Sequence, residues 1–360
     1  MRYALIGCGR IARNHMIAAH NTSLELVAMC DLHQGKMETL LGNSAFAGTA
    51  PRFYTDYKKM MDEVRPELVA IATDSGVHAE IALYCIRAGA NVIIEKPIAM
   101  SMADAKLIAR EAKRCGVKVA ACHQNRFNLS CQQMHKAREE GRFGRLSHGS
   151  IHVRWNRNQN YYDQAAWRGR WASDGGALMN QCIHGIDLLL WMMGSRPVRV
   201  YGVTRQQYHP YLEAEDIGMA VVSFENGAVA TIEGTVNVYP KNLEETLYLF
   251  GETGTVKLGG AATNNIDVWQ FADQTEEDTG LEGRQEVIGN VYGNGHSRLY
   301  ADMLEAIRDD REPLVNAEEG MHALEMVLAI YCSQKTGLVV TLPLEDFAST
   351  DMEGTFERKD

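Results

Sequence analysis

A chain of 360 residues, 46% hydrophobic and 23% charged, has the length of about two domains and enough apolar residues for a core in each. Its formal net charge of -10 argues against a nucleic-acid surface and against binding to anionic membranes. No apolar run approaches the roughly 20 residues of a membrane span. The 8 cysteines are scattered without a C-x-x-C pair, so no metal site and no disulfide framework is expected, and the chain reads as cytoplasmic with reduced thiols.

From residue 2 to residue 121, short apolar runs alternate with helical patterns. Strands are expected at 3–6, 24–30, 68–72, 92–94 and 117–121, and helices at 10–19, 34–41, 55–64, 77–88 and 101–115. That alternation predicts a parallel sheet covered on both faces. The first strand runs into Gly7-Cys8-Gly9-Arg10-Ile11-Ala12, a G-x-G-x-x-A turn. Gly7 permits the tight turn, Gly9 lets the backbone approach a pyrophosphate, and Ala12 permits close helix–strand packing. Arg10 is a cation that can face the diphosphate. The second strand ends in Asp31, placed to grip ribose hydroxyls and repel a 2′-phosphate, which favours NAD over NADP.

The expected strand at 68–72 ends in Thr73-Asp74-Ser75-Gly76-Val77-His78, and that at 92–94 in Glu95-Lys96-Pro97. Open α/β sheets bind ligands outside the carboxyl ends of their strands, so both loops border the expected cofactor. The first is either a ribose contact or a plain turn with a helix cap. In the second, Lys96 either donates to a substrate oxygen or forms a surface pair with Glu95, and the bond before Pro97 is a candidate for cis.

His123-Gln124-Asn125-Arg126-Phe127-Asn128 follows, dense in polar side chains, and the division falls there: 1–122 for the cofactor and 123–360 for substrate and oligomer contacts. After an expected helix at 129–140 and strand at 146–155, four Arg and five aromatics crowd residues 154–171. Arg forks pair with phosphates and carboxylates, and flat rings stack on bases and sugars. The alternative is a long loop pinned by aromatic anchors, its Arg residues solvated or paired with acids.

Residues 174–194 read as one helix, with Asp174 as N-cap and Gly194 as stop. Asn180, His184 and Asp187 fall within roughly 40° of one another on that helix. The stripe faces a cleft or caps backbone groups in a core. From 197 to 271 the pattern turns to strands with tight turns between them. Residues 272–288 are acidic and loop-like, and helices are expected at 297–309 and 317–334.

Gly7-x-Gly9-x-x-Ala12, Glu95-Lys96-Pro97 and the helix carrying His184 resemble the Gfo/Idh/MocA family of pyridine-nucleotide sugar oxidoreductases, in order and spacing, over nearly the whole chain. The resemblance implies an N-terminal Rossmann domain and a C-terminal α/β domain with a large, open, mostly antiparallel sheet, used for homodimers or homotetramers. It implies that Lys96 and His184 are the catalytic pair, next to the nicotinamide. The cofactor set is then Gly7, Gly9, Arg10, Ile11, Ala12, Asp31, Thr73, Ser75, His78, Glu95, Lys96 and Gln124. A narrower set resembles the UDP-N-acetylglucosaminuronate 3-dehydrogenases within the family: Gln124-Asn125-Arg126, Tyr161-Tyr162, Trp167-Arg168-Gly169-x-Trp171, Met179-Asn180-Gln181, Tyr239-Pro240-Lys241-Asn242-Leu243-Glu244 and Val291-Tyr292-Gly293-x-Gly295-His296. The substrate set it implies is Lys96, Arg126, Asn128, Tyr162, Trp167, Arg168, Asn180, Gln181, His184 and Asn242. Where the commoner family pattern has Asp, position 180 has Asn, which cannot act as a base, so proton transfer falls on His184. The expected activity is NAD-dependent oxidation of a secondary alcohol on a sugar ring, of a nucleotide sugar at C3. The alternatives are an inositol or free-sugar dehydrogenase of the same family and a non-catalytic NAD-binding sensor.

Overall fold

The structure, a computed structural model, describes residues 1–286 and 294–356. Val291, Tyr292 and Gly293 of the last motif lie outside the described residues. The chain forms two compact units, Met1–His123 with His296–Met321, and Gln124–Gly295 with His322–Asp360. The single cut expected after residue 122 therefore gives way to a discontinuous first unit. The sequence pattern of helix 295–308 contains nothing that states which sheet it covers.

The first unit runs β1 (Arg2–Ile6), α1 (Ala12–Asn21), β2 (Glu25–Cys30), α2 (Gln34–Gly42), β3 (Arg52–Tyr54), α3 (Tyr57–Val64), β4 (Leu68–Ile71), α4 (His78–Arg87), β5 (Asn91–Ile94), α5 (Met102–Cys115) and β6 (Val119–Ala121). The sheet is parallel throughout, in the order β3-β2-β1-β4-β5-β6. Strand β4 is buried at every position, as a sheet covered on both faces requires. The order reverses between β1 and β4, the switch point where such sheets bind ligands. Gly7 sits there at φ +91°, and a Cβ on it would meet the Ala72 backbone at 2.5 Å. The short strand β3 was not expected, because three residues are too few for a periodic signal. The returning segment is stitched to the sheet by Ala121 N–H donating to Val315 O at 2.9 Å.

The second unit runs α6 (Leu129–Glu139), β7 (Leu146–Arg154), α7 (Gln159–Tyr162), α8 (Ile183–Met193), β8 (Pro197–Arg205), β9 (Ile217–Phe224), β10 (Val229–Thr235), β11 (Glu244–Gly251), β12 (Gly254–Gly259) and β13 (Asn265–Phe271). Helix α9 (Gly295–Arg308) then serves the first unit from His296 onward, α10 (Ala317–Thr336) passes from the first unit to the second, and β14 (Val340–Thr341) closes the second sheet. That sheet has the order β13-β12-β11-β7-β10-β9-β8-β14 and is antiparallel except for β7 beside β10. Inward positions of β9 and β10 are buried in strict alternation, while Tyr201, Met219, Val221 and Val229 on the other face are exposed. The acidic segment after 271 holds one 3₁₀ turn, Glu276–Asp278, and Asp278 is buried against Arg142 at 2.7 Å.

The expected single helix over 174–194 is two pieces. A π-helical turn at Leu178–Cys182 precedes α8, and Gly194 ends α8 at φ +58°. The turn is seated in a notch formed by Gly218 and Gly234, which face each other across β9 and β10. A Cβ on Gly234 would meet Leu178 Cδ2 at 2.6 Å and Cys182 Sγ at 2.7 Å. Gly234→Val is therefore expected to cost about 1–3 kcal/mol of stability by overpacking, read as a lower urea midpoint. Unchanged stability would show that the notch is not needed to seat the turn.

Candidate active site

In the first unit, α1 begins without a side-chain cap, and in its first turn Ala12 N donates to Gly9 O at 3.2 Å and Asn14 N to Ile11 O at 2.9 Å. Gly9 is exposed, and a Cβ on it would meet nothing within 4 Å. This is an open cradle at a helix N-terminus, which a dinucleotide diphosphate fits. Arg10 is exposed beside it, Ile11 is the N-cap residue, and Ala12 is buried. Asp31 accepts from Cys8 N at 2.8 Å through Oδ2 and from His33 N at 2.9 Å through Oδ1. Its carboxylate is thus fixed at the end of β2. Thr73 Oγ1 donates to Asp74 O at 3.1 Å, and Ser75 is buried in a 3₁₀ turn.

His78 is buried, and its Nδ1 lies 2.8 Å from Pro97 O. Its imidazole therefore secures the loop after β5. Lys96 is half-buried, and the Lys96–Pro97 bond is cis. Glu95 is buried, with His15 Nε2 at 3.0 Å and His296 Nε2 at 3.3 Å from Oε1. Burial pushes the Glu95 carboxyl up, but the two imidazole bonds outweigh it and hold it well below the usual range. It is no surface partner of Lys96. His15 was not foreseen, since nothing in a helix pattern separates a core histidine from a polar one.

In the second unit, the Arg-aromatic segment and the π turn are joined by one chain of hydrogen bonds. Arg168 Nη1 donates to Tyr161 Oη, and Gln181 Nε2 donates to the same oxygen at 2.9 Å. Gln181 Nε2 also reaches Asn180 Oδ1 at 3.1 Å, and Asn180 Nδ2 donates to Asp174 Oδ1. Asp174 Oδ2 accepts from Gly169 N at 2.6 Å, which closes the ring. Asp174 is therefore a loop clamp and not the N-cap of the helix.

Of the four Arg in this segment, Arg154 pairs with Glu233 and Glu244, and Arg170 with Glu213. Arg157 and Arg168 have no carboxylate partner among the described residues. Both guanidinium groups lie over the Tyr161 ring, at 5.1 and 4.2 Å, and Arg168 also lies 4.6 Å from the Trp167 ring. Tyr162 packs edge-on against Tyr161. Asn242 Oδ1 accepts from Asn156 N and from Arg157 Nη1, both at 3.0 Å.

The three residues expected on one polar stripe part company. His184 is buried in the first turn of α8, whereas Asn180 belongs to the ring just described. Asp187 takes both Nε and Nη2 of Arg126, at 2.8 and 2.7 Å, in a pair that is 1% exposed on each side. The π turn changes the angular spacing that an unbroken α-helix would give. Arg126, expected as a substrate contact, lies in this buried ion pair. Asn128 is also buried, its amide donating to Ala262 O at 3.1 Å, and Gln124 is buried with Oε1 unpartnered.

A parallel sheet with an open phosphate cradle at its switch point, followed by a unit built on an open antiparallel sheet, is the two-domain design of a nucleotide-dependent oxidoreductase. The model for an oxidoreductase family's NAD-binding Rossmann fold matches residues 1–123, and that for the family's C-terminal alpha/beta domain matches residues 136–342. The chain belongs to the Gfo/Idh/MocA oxidoreductase family. Among solved structures it is similar to the WlbA dehydrogenase of Bordetella pertussis in complex with NADH and UDP-GlcNAcA, at 36% identity and TM-score 0.86, over 96% of this chain and 99% of that one. The WlbA protein of Chromobacterium violaceum, in complex with the same two molecules, is 33% identical with TM-score 0.86, over 96% of each chain. D-glucoside 3-dehydrogenase of Escherichia coli is 24% identical over 95% of this chain and 97% of its own.

Glu215 supports the π turn from below. Its Oε1 accepts from Leu178 N at 2.8 Å and from Tyr331 Oη at 2.9 Å, while Oε2 has no partner. Burial pushes its carboxyl up to about 8, and it does the same for Glu245, neither of whose oxygens is bonded. Both acids are thus neutral in the folded protein at pH 7. A folded-state value above the unfolded one contributes stability that is complete below the unfolded value of about 4.3 and is lost as pH rises to about 8. Urea midpoints should fall across that window, and Glu215→Gln with Glu245→Gln should flatten the decline. An equally steep decline in the double variant would refute this assignment.

Proposed function

We propose that this enzyme oxidises a ring hydroxyl of a nucleotide-sugar acid, UDP-N-acetylglucosaminuronate at C3, with NAD. The observation that carries the reading is the pair Arg157 and Arg168 over one tyrosine ring, with no carboxylate partner among the described residues, in a chain of net charge -10. Two uncompensated guanidinium groups beside flat rings suit a diphosphate or carboxylate attached to a base and a sugar. The 33–36% identity to proteins crystallised with UDP-GlcNAcA supports the same substrate.

Gly7, Gly9 and the N-terminus of α1 hold the cofactor's diphosphate, and the fixed carboxylate of Asp31 takes the ribose hydroxyls and repels a 2′-phosphate. When bound, NAD accepts the hydride from the carbinol carbon. His184 accepts the hydroxyl proton, so the alcohol becomes a ketone. Lys96 donates a hydrogen bond to the oxygen as its charge develops. Asn180, with its amide given to Asp174, holds the loop and takes no proton. Gln181, Tyr162, Trp167 and Asn242 line the substrate side. The exposed row Tyr201, Met219, Val221 and Val229 packs against a second copy in a homodimer or homotetramer. The eight cysteines are free, which suits the reducing cytoplasm.

His184→Ala and Lys96→Ala should each lower kcat by about 10²–10⁴-fold while NADH still binds. Full turnover in either variant removes that residue from the reaction. In thermal-shift titrations, NAD followed by UDP-N-acetylglucosaminuronate should raise the melting temperature in two steps. A ligand at a hundredfold excess over its dissociation constant stabilises by about 2.7 kcal/mol. Arg168→Ala should weaken only the second step, by about tenfold or more in affinity. A second step seen only with inositols or free sugars would overturn the nucleotide-sugar reading.

A further inference from the structure

We propose that His15 and His296 are positioning residues for Lys96, which they hold in place by saturating the buried carboxylate of Glu95. The inference rests on the reading of Lys96 as the donor to substrate oxygen.

Glu95 is the residue immediately before Lys96, and it is 5% exposed. Its Oε1 accepts two imidazole N–H groups, from His15 Nε2 at 3.0 Å and His296 Nε2 at 3.3 Å. Its Oε2 accepts the backbone N–H of Lys96 at 3.2 Å. On the far side of Lys96, Pro97 O accepts from His78 Nδ1 at 2.8 Å. The three-residue loop is thus pinned by three histidines, one each from α1, α4 and α9. Lys96 sits between the two fixed points with its side chain half-buried. A buried carboxylate that lost one of these donors would shift to recover one, and the Lys96 peptide bonded to its Oε2 would shift with it.

The proton positions follow from the chain of donors. Tyr3 Oη lies 3.0 Å from Tyr300 Oη, which lies 2.7 Å from His15 Nδ1. Run in one direction, Tyr3 donates to Tyr300, Tyr300 to His15, and His15 to Glu95. The proton of His15 is therefore on Nε2, and burial keeps this imidazole neutral. His296 Nδ1 is buried without a partner among the described residues. With its proton on Nε2, only a lone pair is left unmet there, which folded proteins tolerate better than an unmet N–H.

The same atom argues against a cation. His15, Glu95, Cys122 and His296 bring four ligand atoms within 4.8 Å of one another. A metal would take the Nε2 lone pairs and force the His296 proton onto Nδ1. Ligand histidines give that second N–H to an acceptor, and none is present among the described residues. The cluster is a hydrogen-bonded clamp around one negative charge.

The test uses the full chain saturated with NADH. Long-range ¹H–¹⁵N spectra of histidine-labelled protein at pH 7, assigned with His15→Gln and His296→Gln, should show both rings neutral with the proton on Nε2. A cationic ring, a proton on Nδ1, or a stoichiometric metal in the purified protein overturns the proposal. With NAD and UDP-N-acetylglucosaminuronate, His296→Phe should lower kcat by about 10²-fold, the scale of a misplaced catalytic group, with KM for NAD nearly unchanged. His296→Gln, which restores an N–H, should regain most of that loss. Wild-type kcat in His296→Phe, or no rescue by Gln, overturns the proposal. Lys96→Ala, run alongside, separates the two ideas. Full turnover in it removes the catalytic reading of Lys96, and with it the functional role of the clamp, while the tautomer spectra still decide the clamp's geometry.

Discussion

A carboxylate taken out of water has to be met by donors, and this requirement organises both units of the protein. In the first unit Glu95 draws imidazoles from α1 and α9 and the peptide N–H of its own neighbour. In the second, Asp187 draws the whole fork edge of Arg126, and Asp174 draws Gly169 and Asn180. Glu95 and Asp187 tie their elements to residues distant in sequence, and Asp174 ties the loop before it to the π turn after it. The loops that carry Lys96, Asn180 and Gln181 are held by those ties and not by local propensity.

Where no donor suffices, the acid gives up its charge. Glu215 has two donors on one oxygen and nothing on the other, and Glu245 has none, and burial leaves both neutral at pH 7. Glu215 is the support of the π turn, so the geometry just before His184 rests on an acid whose carboxyl burial has pushed up. The cations are divided in the same way. Arg126, Arg154 and Arg170 are taken by carboxylates, which leaves Arg157 and Arg168 over the aromatic ring of Tyr161. The surplus positive charge is local, and it stands out against an acidic chain.

Much of the fold was legible because its signals are periodic. The strands and helices of the first 121 residues and the alternation of β9 and β10 repeat an apolar position every two to four residues, and the glycine turn after β1 has a fixed spacing. Short elements such as β3 and β14 are below the length at which a period can be seen. The π turn at Leu178–Cys182 was also invisible. It is set by the notch of Gly218 and Gly234, two strand residues 40 and more positions away, and by the Glu215 carboxyl. The return of α9 to the first unit was illegible for a like reason, since an amphipathic helix does not state which sheet it covers.

The sequence by itself determined the class of protein, through the G-x-G-x-x-A turn with Asp31 at the end of the next strand and the Glu95-Lys96-Pro97 loop, because backbone approach and charge at those points allow few other residues. It also placed Arg157, Arg168 and the aromatics in one short segment. The tertiary structure decided which of the polar residues remain for chemistry. Arg126, Asn128, His78 and Asp187 looked available in the sequence and are committed to buried partners, while His15, which no motif marked, and His296, which only ended one, converge on Glu95. A side chain's hydrogen-bonding capacity is finite, and only the folded chain shows which partner has already used it.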